Sequence, residues 1–456
     1  MKHLPLQFRH LSCANPDVMA LLRRFQRQYP YCAVLESVDR AHGRNDFSFV
    51  ALGARDVITI RPGKSAQDPL KSFENFIGSG KEGGFLEMGY IGYLSFESAR
   101  FFEEIDLVPD PETPDAEFFL PEVLLKIDHA EGQVTLIAHQ DTSEDLEAIS
   151  EAVAASSSDA QMLKSPSVLP TLGDIEPYRM TSRDEFVAQV RDVQEKILSG
   201  EAFQVVLSQE LRLQSAVTPE SVYEHLRAIN PSPYMYCFQT PERTIVGASP
   251  ETLLRVDGRK LLYRPIAGTR KRTGDPVTDA AMERELLSDL KERSEHQMLV
   301  DLGRNDIGRV AEIGSVTVED AFHLERYAHV YHIVSDIHGV LKSDCTSLDA
   351  LRSVFPAGTL TGAPKVRAME IIRAAEGGPR GIYGGAFGYI DASGNIDFAI
   401  TIRTMLFRDG EISLRVGAGI VKDSVPERED NECLHKARSC LAAVKAAENA
   451  LSIIAS

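Results

Sequence analysis

The sequence lacks three features that would assign it to a special class of protein. No apolar run approaches the roughly 20 residues that a membrane-spanning helix needs, and residues 1–11 have no uninterrupted apolar segment typical of a secretory signal. The 6 cysteines form neither a C-x-x-C pair nor a small disulfide framework. Lysine and arginine number 49 against 67 aspartates and glutamates, a net charge of −18. We therefore expect a cytoplasmic protein with reduced thiols that binds neither nucleic acid nor a membrane.

The composition is otherwise that of a globular protein, with 43% hydrophobic and 25% charged residues. Residues 156–175 are rich in serine, proline and small side chains, which predicts a linker between an N-terminal region, residues 1–155, and a second region, residues 176–456. Neither G-x-G-x-x-G nor G-x-x-x-x-G-K-S/T occurs, so a doubly wound nucleotide-binding fold is not expected. The mixed helix and strand patterns predict the α+β class.

Three helices and an antiparallel meander are predicted in the second region. The first helix begins at a capping box formed by Ser182 and Glu185 and ends at Gly200. The second helix covers about residues 278–302, and the third begins near Pro426. Between these two helices, apolar segments are joined by the short turn sequences DASGN and RDGE, and such short connections join antiparallel neighbours.

Carboxylates recur at helical spacing on the second and third helices. Glu292 and Glu295 share one face of the second helix. Glu429 and Glu432 share a face of the third helix with Lys436. Two pairs of oxygen ligands on separate helices suit a hard divalent cation, with Mg²⁺ favoured if water and an anionic substrate complete its shell. The same spacing also suits carboxylates that only face solvent.

Positive groups and glycines indicate a pocket for an anion. The apolar segment 397–407 alternates as a single strand, which would bury Arg403, and a buried guanidinium needs a carboxylate partner. The next strand carries G-A-G at residues 417–419, where a ligand can approach the backbone closely. Because the whole chain is acidic, an anionic substrate requires locally concentrated cations such as Arg403 and Lys436. An internal salt bridge of Arg403 is the alternative.

These segments together resemble the chorismate-utilising enzymes, and most closely the large subunits of anthranilate synthases. The matching segments include PIAGTRKRTGD, LKERSEHQMLVDLGRNDIGRV, FPAGTLTGAPKVRAMEII, IYGGAFGYID and VGAGIVKDSVPERE, in the family's order over nearly all of residues 180–445. The N-terminal region resembles the regulatory part of the same subunits more loosely, through VLESVD and GYIGYLSFE. The resemblance implies antiparallel sheets that form a sandwich core with helices packed outside, and a chorismate-binding catalytic domain in residues 176–456.

The resemblance also implies roles for individual residues. Glu295 and Glu432 match the Mg²⁺ ligands, with Glu292 and Glu429 supporting the ion through water. Glu251 matches the general acid that helps the C4 hydroxyl of chorismate to leave. The remaining pocket residues match a histidine beside the reacting ring, a clamp for the enolpyruvyl carboxylate and the adjacent walls: His332, Thr269, Thr361, Tyr383, Arg403, Gly417, Ala418, Gly419 and Lys436.

Two positions distinguish members of the family. Members that add water at C2 carry a lysine base where this chain has Gln204, and a glutamine cannot take a proton from water. Many aminodeoxychorismate synthases carry a nucleophilic lysine where this chain has Ala267. Both positions favour attack of ammonia at C2, followed by loss of pyruvate to give anthranilate.

Other products and roles stay open at this point. The main alternative is aminodeoxychorismate synthase component I, which serves folate and p-aminobenzoate synthesis. A related enzyme stops at 2-amino-2-deoxyisochorismate, and a non-catalytic metabolite sensor would keep the pocket without turnover. No segment resembles a glutaminase, so a separate glutamine amidotransferase subunit is the expected source of ammonia.

A second, regulatory site is also implied by the resemblance. The segment NPSPYM and the segment beginning at Leu35 resemble the tryptophan-binding feedback site of anthranilate synthases. The residues concerned are Leu35, Glu36, Ser37, Asn230, Pro231, Ser232, Pro233, Tyr234 and Met235. A proline-rich turn that only leads into a strand is the alternative for NPSPYM.

Overall fold

The computed structural model describes residues 5–11, 13, 16–37, 47–63, 67–77, 88–156, 177–327 and 330–455. The helices are Val18–Phe25 (α1), Leu146–Ala155 (α2), Arg183–Leu198 (α3), Pro219–Ile229 (α4), Pro276–Ser288 (α5), Leu290–Gly308 (α6), Ser347–Val354 (α7), Gly358–Thr361 (α8), Lys365–Glu376 (α9) and Pro426–Ala455 (α10), with 3₁₀ helices at Pro69–Phe73 and Phe96–Phe101. The strands are Leu6–Leu11 (β1), Cys32–Glu36 (β2), Phe47–Leu52 (β3), Asp56–Ile60 (β4), Gly89–Leu94 (β5), Ala116–Leu120 (β6), Val123–Asp128 (β7), Gln133–His139 (β8), Tyr178–Arg179 (β9), Gln204–Gln214 (β10), Tyr234–Gln239 (β11), Thr244–Ser249 (β12), Thr252–Asp257 (β13), Lys260–Tyr263 (β14), Ile266–Lys271 (β15), Thr317–Arg326 (β16), Val330–Val340 (β17), Gly362–Ala363 (β18), Ala386–Asp391 (β19), Ile396–Ile400 (β20), Thr404–Arg408 (β21) and Glu411–Ile420 (β22). The predicted linker lies outside the described residues apart from Ser156, so the division of the chain into two regions stays a prediction.

The strands form two antiparallel sheets. The first is 12-stranded in the order β1-β8-β7-β3-β2-β11-β12-β21-β22-β10-β18, with β9 also paired to β10. The second is 10-stranded in the order β15-β17-β14-β13-β20-β19-β5-β6-β4, with β16 paired to β17. Every pairing between described strands is antiparallel, which confirms the predicted α+β class with antiparallel sheet.

Strands from both ends of the chain complete each sheet. In the first sheet β2 pairs with β11, where Glu36 lies opposite Met235. In the second sheet β5 pairs with β19, where Gly92 lies opposite Gly388. The N-terminal strands therefore belong to the same two sheets as the strands of the second region.

The two sheets enclose one apolar core and the helices cover a second. Alternate residues of the first sheet, such as Ala33 and Tyr236, pack against residues of the second sheet, such as Leu254 and Phe398. Their neighbours on the opposite face of the first sheet pack under α1, α2, α3, α4, α9 and α10. This is the expected sandwich with helices outside. None of the helices in the described part of the chain is long and apolar enough to cross a bilayer.

Two of the predicted helices form at the predicted signals. In α3 the Ser182 hydroxyl accepts the N–H of Glu185, and the Glu185 side chain accepts the N–H of Ser182. Gly200 follows the helix with a φ of +86°, a backbone conformation that a glycine adopts without strain. The third predicted helix begins at Pro426, as α10.

The single helix predicted over about residues 278–302 is wrong, because the structure has two helices there. α5 ends at Ser288 and α6 begins at Leu290. Asp289 between them is extended, and its carboxylate accepts the N–H groups of Lys291 and Glu292. Asp289 is therefore the N-cap of α6, and it separates two helices that the prediction joined into one.

The single strand predicted over residues 397–407 is also wrong. β20 ends at Ile400 in the second sheet, and β21 begins at Thr404 in the first sheet. Arg403 between them has a φ of +50°, a left-handed conformation that is costly for a residue with a side chain and interrupts the strand. Arg403 therefore does not lie on a strand face, but at the crossing from one sheet to the other.

Candidate active site

Two crossings between the sheets lie side by side and carry Glu251 and Arg403. The chain passes from β12 in the first sheet to β13 in the second through Glu251, and returns from β20 to β21 through residues 401–403. The N–H of Ile400 donates to the carbonyl of Glu251 at 3.0 Å, and the N–H of Ala248 donates to the carbonyl of Arg403 at 3.2 Å. Because backbone bonds join the two crossings, their side chains are held in the same space between the sheets.

Glu251 is a buried carboxyl with a free oxygen. The residue is 5% exposed, and its Oε1 has no hydrogen-bond partner among the described residues. Burial raises the pKa of Glu251 to about 7, and the nearby Thr359 hydroxyl, the backbone N–H of Ile266 and the charges of Arg403 and Lys436 offset this only in part. A carboxyl with such a pKa is about half protonated at pH 7 and can act as a general acid.

His332 is a neutral imidazole that also presents a free atom. On β17, its Nδ1 lies 3.0 Å from the carbonyl oxygen of Gly268 and 3.2 Å from Oγ1 of Thr269. A carbonyl only accepts, so we assign the proton to Nδ1. Burial lowers the pKa of His332 to about 4, and the charge of Arg403 acts in the same direction. The buried Nε2, which has no partner among the described residues, is therefore an available acceptor.

Arg403 and Lys436 supply two positive charges to this space. The Arg403 guanidinium forms no hydrogen bond or ion pair with another described residue, so the predicted alternative of an internal salt bridge does not occur among them. Nζ of Lys436 donates to the carbonyl of Gly417 at 3.0 Å and lies 2.8 Å from Oε1 of Glu432. The side chain of Lys436 is 45% exposed, and the Glu432 carboxylate outweighs the partial loss of solvent and raises the pKa of Lys436. An anion between the crossings would thus contact the unpaired guanidinium of Arg403 and the ammonium of Lys436, which also pairs with Glu432.

The glycines of β22 let two side chains close over the strand. A Cβ on Gly417 would lie 2.5 Å from the hydroxyl oxygen of Tyr383, and a Cβ on Gly419 would lie 2.5 Å from Nε2 of Gln204. Burial raises the pKa of Tyr383 to about 12, so its hydroxyl stays a donor. The side chain of Ala418 points to the other face, into the core beneath the helices.

Two further predicted residues shape the walls. The hydroxyl of Thr361 is fully buried and donates to the carbonyl of Ala357 at 3.0 Å, so its proton is already used inside α8. Ala267 lies on β15 opposite Ile333, immediately before a register shift in the pairing with β17. Ala267 is thus an apolar residue, and the Thr361 hydroxyl already has a hydrogen-bond acceptor within the protein.

Helices α6 and α10 bring the predicted metal carboxylates within electrostatic range of one another. Burial raises the pKa of Glu295, and the charge of Glu432 adds to this effect, while Lys291 at 3.6 Å opposes it. The pKa of Glu429 is raised in the same way, by burial first and then by Glu432. Glu295 and Glu432 lie on separate helices, so a cation between them would relieve their repulsion.

The predicted metal carboxylates suit a magnesium site with two protein ligands, and not one in which protein side chains surround the ion. Within the described ranges no group of three or more histidine, cysteine, aspartate or glutamate side chains is arranged to hold an ion. Glu292 instead pairs with Arg270 at 3.0 Å. Magnesium typically takes one or two carboxylates and completes its shell with water and substrate oxygens. Glu295 and Glu432 suit that pattern, and the water-mediated roles of Glu292 and Glu429 stay predictions.

The two segments predicted to form a regulatory site are neighbours. Glu36 on β2 lies opposite Met235 on β11, and its buried carboxylate accepts the hydroxyl of Tyr223 at 2.7 Å and Nη2 of Arg227 at 2.9 Å. The amide nitrogen of Asn230 is buried without a partner among the described residues. The segments are thus close to each other and distant in sequence, and one donor there is free for a ligand.

Sequence reasoning missed the support of His332 by Tyr327. The rings of the two residues meet edge to face with centroids 5.3 Å apart, and the Tyr327 hydroxyl donates to Glu325 at 2.6 Å. Glu325 lies directly opposite His332 in the β16–β17 pairing and forms an ion pair with Arg264. The register of this hairpin is the signal that would have found the contact.

Comparisons with known proteins agree with this geometry. The family model described as chorismate binding enzyme matches residues 31–442. Anthranilate synthase component 1 of Thermus thermophilus is 42% identical over 467 residues, covering 98% of this chain and 99% of the relative. The protein of the same name from Acetivibrio thermocellus is 38% identical over 465 residues, with 94% and 93% covered.

Solved structures show the same fold. Anthranilate synthase component I from Streptococcus pneumoniae superimposes with a TM-score of 0.76 at 32% identity, covering 87% of this chain and 92% of that one. The menaquinone-specific isochorismate synthase of Escherichia coli superimposes with a TM-score of 0.72 at 20% identity, covering 97% and 95%, a likeness of fold alone. The chain therefore belongs to the chorismate-binding enzyme family, among the anthranilate synthase component 1 proteins.

Proposed function

We propose that this chain converts chorismate and ammonia into anthranilate, pyruvate and water. The observation that carries the proposal is a pair of uncharged positions in an otherwise charged pocket. Gln204, over Gly419, cannot act as a base towards water, and Ala267 supplies no nucleophile. Ammonia has its own lone pair and needs neither. The relatives named anthranilate synthase component 1, at 38–44% identity, support the same reaction.

The residues of the pocket divide the chemistry between them. Arg403, the Tyr383 hydroxyl and the backbone near Gly417 hold the enolpyruvyl carboxylate. Glu251 gives its proton to the C4 hydroxyl, which leaves as water while ammonia forms the bond to C2. Removal of a C2 proton then breaks the bond from C3 to the enolpyruvyl oxygen, and pyruvate leaves as the ring becomes aromatic. The free Nε2 of His332 is the acceptor available for that proton.

Magnesium would be held by Glu295 and Glu432. When bound, the ion supplies positive charge to the ring carboxylate of chorismate. The support for this assignment is that burial and the charge of Glu432 on α10 both raise the pKa of Glu295 on α6, together with the oxygen-only donor set. Lys436, which lies beside Glu432, keeps that carboxylate ionised for a metal by lowering its pKa against the effect of burial.

Ammonia is scarce at neutral pH, so we propose that a glutamine amidotransferase subunit supplies it. The numbering "component 1" in the relatives' names supports a second component. We further propose that the complex works in the cytoplasm, since all 6 cysteines are free thiols.

We also propose that tryptophan binds beside β2 and β11 and inhibits the reaction. The free amide nitrogen of Asn230 and the adjacent segments from Leu35 to Ser37 and from Asn230 to Met235 support a ligand there. An end product that binds away from the reacting ring would act by changing the pairing between these strands and the crossing strands of the same sheet.

Product identification tests the proposed reaction. Purified chain is incubated with chorismate, Mg²⁺ and ammonium, and anthranilate fluorescence and pyruvate are measured together. We expect the two products in equal amounts without an added lyase. Aminodeoxychorismate without pyruvate would instead identify the folate-pathway enzyme, and 2-amino-2-deoxyisochorismate would identify an enzyme that lacks the elimination step. Chorismate binding without any product would identify a sensor.

A further inference from the structure

Arg380 and Glu376 form a buried ion pair at a gap in the edge of the first sheet. β10 is covered along this edge by β18 at Gln204 and Val205, and by β9 at Leu211 and Arg212. Between these two short strands, no described strand pairs with residues 206–210 on that side. The side chains of the pair are only 1% and 2% exposed.

The pair satisfies the backbone of β10 in place of a strand. The Glu376 carboxylate accepts the N–H of Ser208 at 2.8 Å and its hydroxyl at 2.9 Å. Nη2 of Arg380 donates to the carbonyl of Val206 at 2.7 Å and to Glu376 at 2.6 Å. Buried backbone groups are costly to leave unpaired, so these bonds fix the position of β10 relative to the end of α9.

The same guanidinium extends to two other segments of the pocket. Nη1 of Arg380 donates to the carbonyl of Leu360 at 2.7 Å, next to Thr361 at the end of α8. The carbonyl of Arg380 accepts the N–H of Tyr383 at 3.3 Å, and its guanidinium lies 5.6 Å from the centre of the Tyr383 ring. Residues 206–208, 360–361 and 376–383 therefore meet at one charge pair.

Each of these segments carries a residue of the candidate site. Gln204 lies two residues before Val206 on β10, and Ser208 lies opposite Gly417. Thr361 follows Leu360, and the Tyr383 hydroxyl closes over Gly417. A shift of Arg380 would consequently move three walls of the pocket at once, although Arg380 itself contacts none of the proposed catalytic groups by hydrogen bond.

We propose that the Arg380–Glu376 pair is a positioning device for the chorismate pocket. It holds Gln204, Thr361 and Tyr383 at fixed distances from the glycines of β22, so that the enolpyruvyl carboxylate is bound in one orientation. The inference takes its ligand, chorismate, from the proposed function. The hydrogen bonds of the Arg380–Glu376 pair are observed independently of that function. A planar guanidinium suits this role because Nη1, Nη2 and Nε reach Leu360, Val206 and Glu376 from three separate nitrogens, whereas a lysine has one nitrogen.

Arg380→Lys and Glu376→Gln test this role with three readouts, the third being kcat/KM with ammonium present. The first is hydrogen exchange of the backbone amides in residues 204–209 and 360–384. The second is chorismate affinity, measured by calorimetry without ammonium so that no anthranilate forms. We expect faster exchange in both segments, a several-fold loss of affinity, and a fall in kcat/KM of about 100-fold, as displacements of about 1 Å produce. The Arg380→Lys/Glu376→Gln double variant should be little worse than either single variant.

Arg243→Met is the matched control. Arg243 has a 2% exposed side chain and pairs with Glu242 at 2.6 Å, but it precedes β12 at the end remote from Glu251. We expect it to lower the unfolding midpoint while exchange at residues 204–209 and chorismate affinity stay within twofold of the wild type. Folded Arg380→Lys or Glu376→Gln protein with wild-type exchange and affinity would overturn the proposal. If wild-type protein binds no chorismate, the proposed function fails, and the exchange comparison still decides whether the pair positions β10 and Tyr383.

Discussion

Replacing Glu251 by glutamine should remove activity and make the protein more stable at alkaline pH. Glutamine keeps the size of the side chain but cannot donate a proton to the C4 hydroxyl. General acids contribute about 10²–10⁴ in rate, so we expect kcat to fall by that factor. Affinity for chorismate should change much less, because Arg403 and Lys436 remain in place.

The stability gain follows from the pKa of Glu251, which burial raises from 4.5 to about 7. Between these two values the folded state holds a proton that the unfolded state has lost, so the free energy of unfolding falls as pH rises. The full difference amounts to about 3 kcal/mol at pH 8 as an upper limit, and it disappears below pH 4.5. Glutamine has no such proton, so Glu251→Gln should gain up to that amount over wild type at pH 8 and nothing at pH 4.

The assay is a pH profile of kcat/KM at constant free NH₃, combined with denaturant unfolding at pH 4 and pH 8. Wild-type kcat/KM should decline above about pH 7 as Glu251 ionises, and the decline should be absent in Glu251→Gln. Glu117→Gln is the control, since Glu117 is a buried carboxyl on β6 whose pKa is also raised by burial. It should keep the wild-type alkaline decline. The reasoning is refuted if Glu251→Gln retains kcat within tenfold of wild type, or if the decline persists without Glu251.

Four further substitutions test the metal ligands, the missing nucleophile and the regulatory site. Glu295→Gln and Glu432→Gln should each reduce Mg²⁺-dependent kcat/KM by more than about 100-fold, since the metal charge supplies several kcal/mol. The control Glu427→Gln should not, because Glu427 also lies on α10 but pairs with Arg191 of α3. Near-normal turnover of Glu295→Gln or Glu432→Gln would contradict the ligand assignment. Ala267→Lys should yield a covalent adduct with the substrate ring, seen as a mass increase that the size-matched Ala267→Met lacks. Tryptophan should raise the unfolding midpoint of the wild type but not of Asn230→Ala, and equal shifts in both would place tryptophan elsewhere.

The fold was predictable from sequence where local signals and the tertiary structure agree. The capping box at Ser182, the proline that opens α10 and the short turns of the β19–β20 and β21–β22 hairpins are local features, and each forms as predicted. The N-cap at Asp289 is also a local feature. Aspartate also occurs within helices, however, so the residue type alone does not predict that a new helix begins there.

The crossing at residues 401–403 could not be predicted from alternation. The alternation of apolar residues continues through Ile402, whereas in the structure Arg403 has a positive φ and β21 enters the other sheet. The sequence predicts which cations, carboxylates and glycines belong to the site. Their positions relative to one another depend on pairing between strands that are distant in sequence. The roles of Tyr327 and Arg380 were missed for the same reason, since their partners are distant in sequence or lie across a hairpin.

The most direct test is the structure of the Glu251→Gln variant with chorismate and Mn²⁺ in place of Mg²⁺, located by anomalous scattering. The account predicts manganese between Glu295 and Glu432 with a chorismate carboxylate as a further ligand. It also predicts that Arg403 and Tyr383 contact the enolpyruvyl carboxylate. Chorismate bound away from the two sheet crossings, or manganese bound without Glu295 and Glu432, would contradict it.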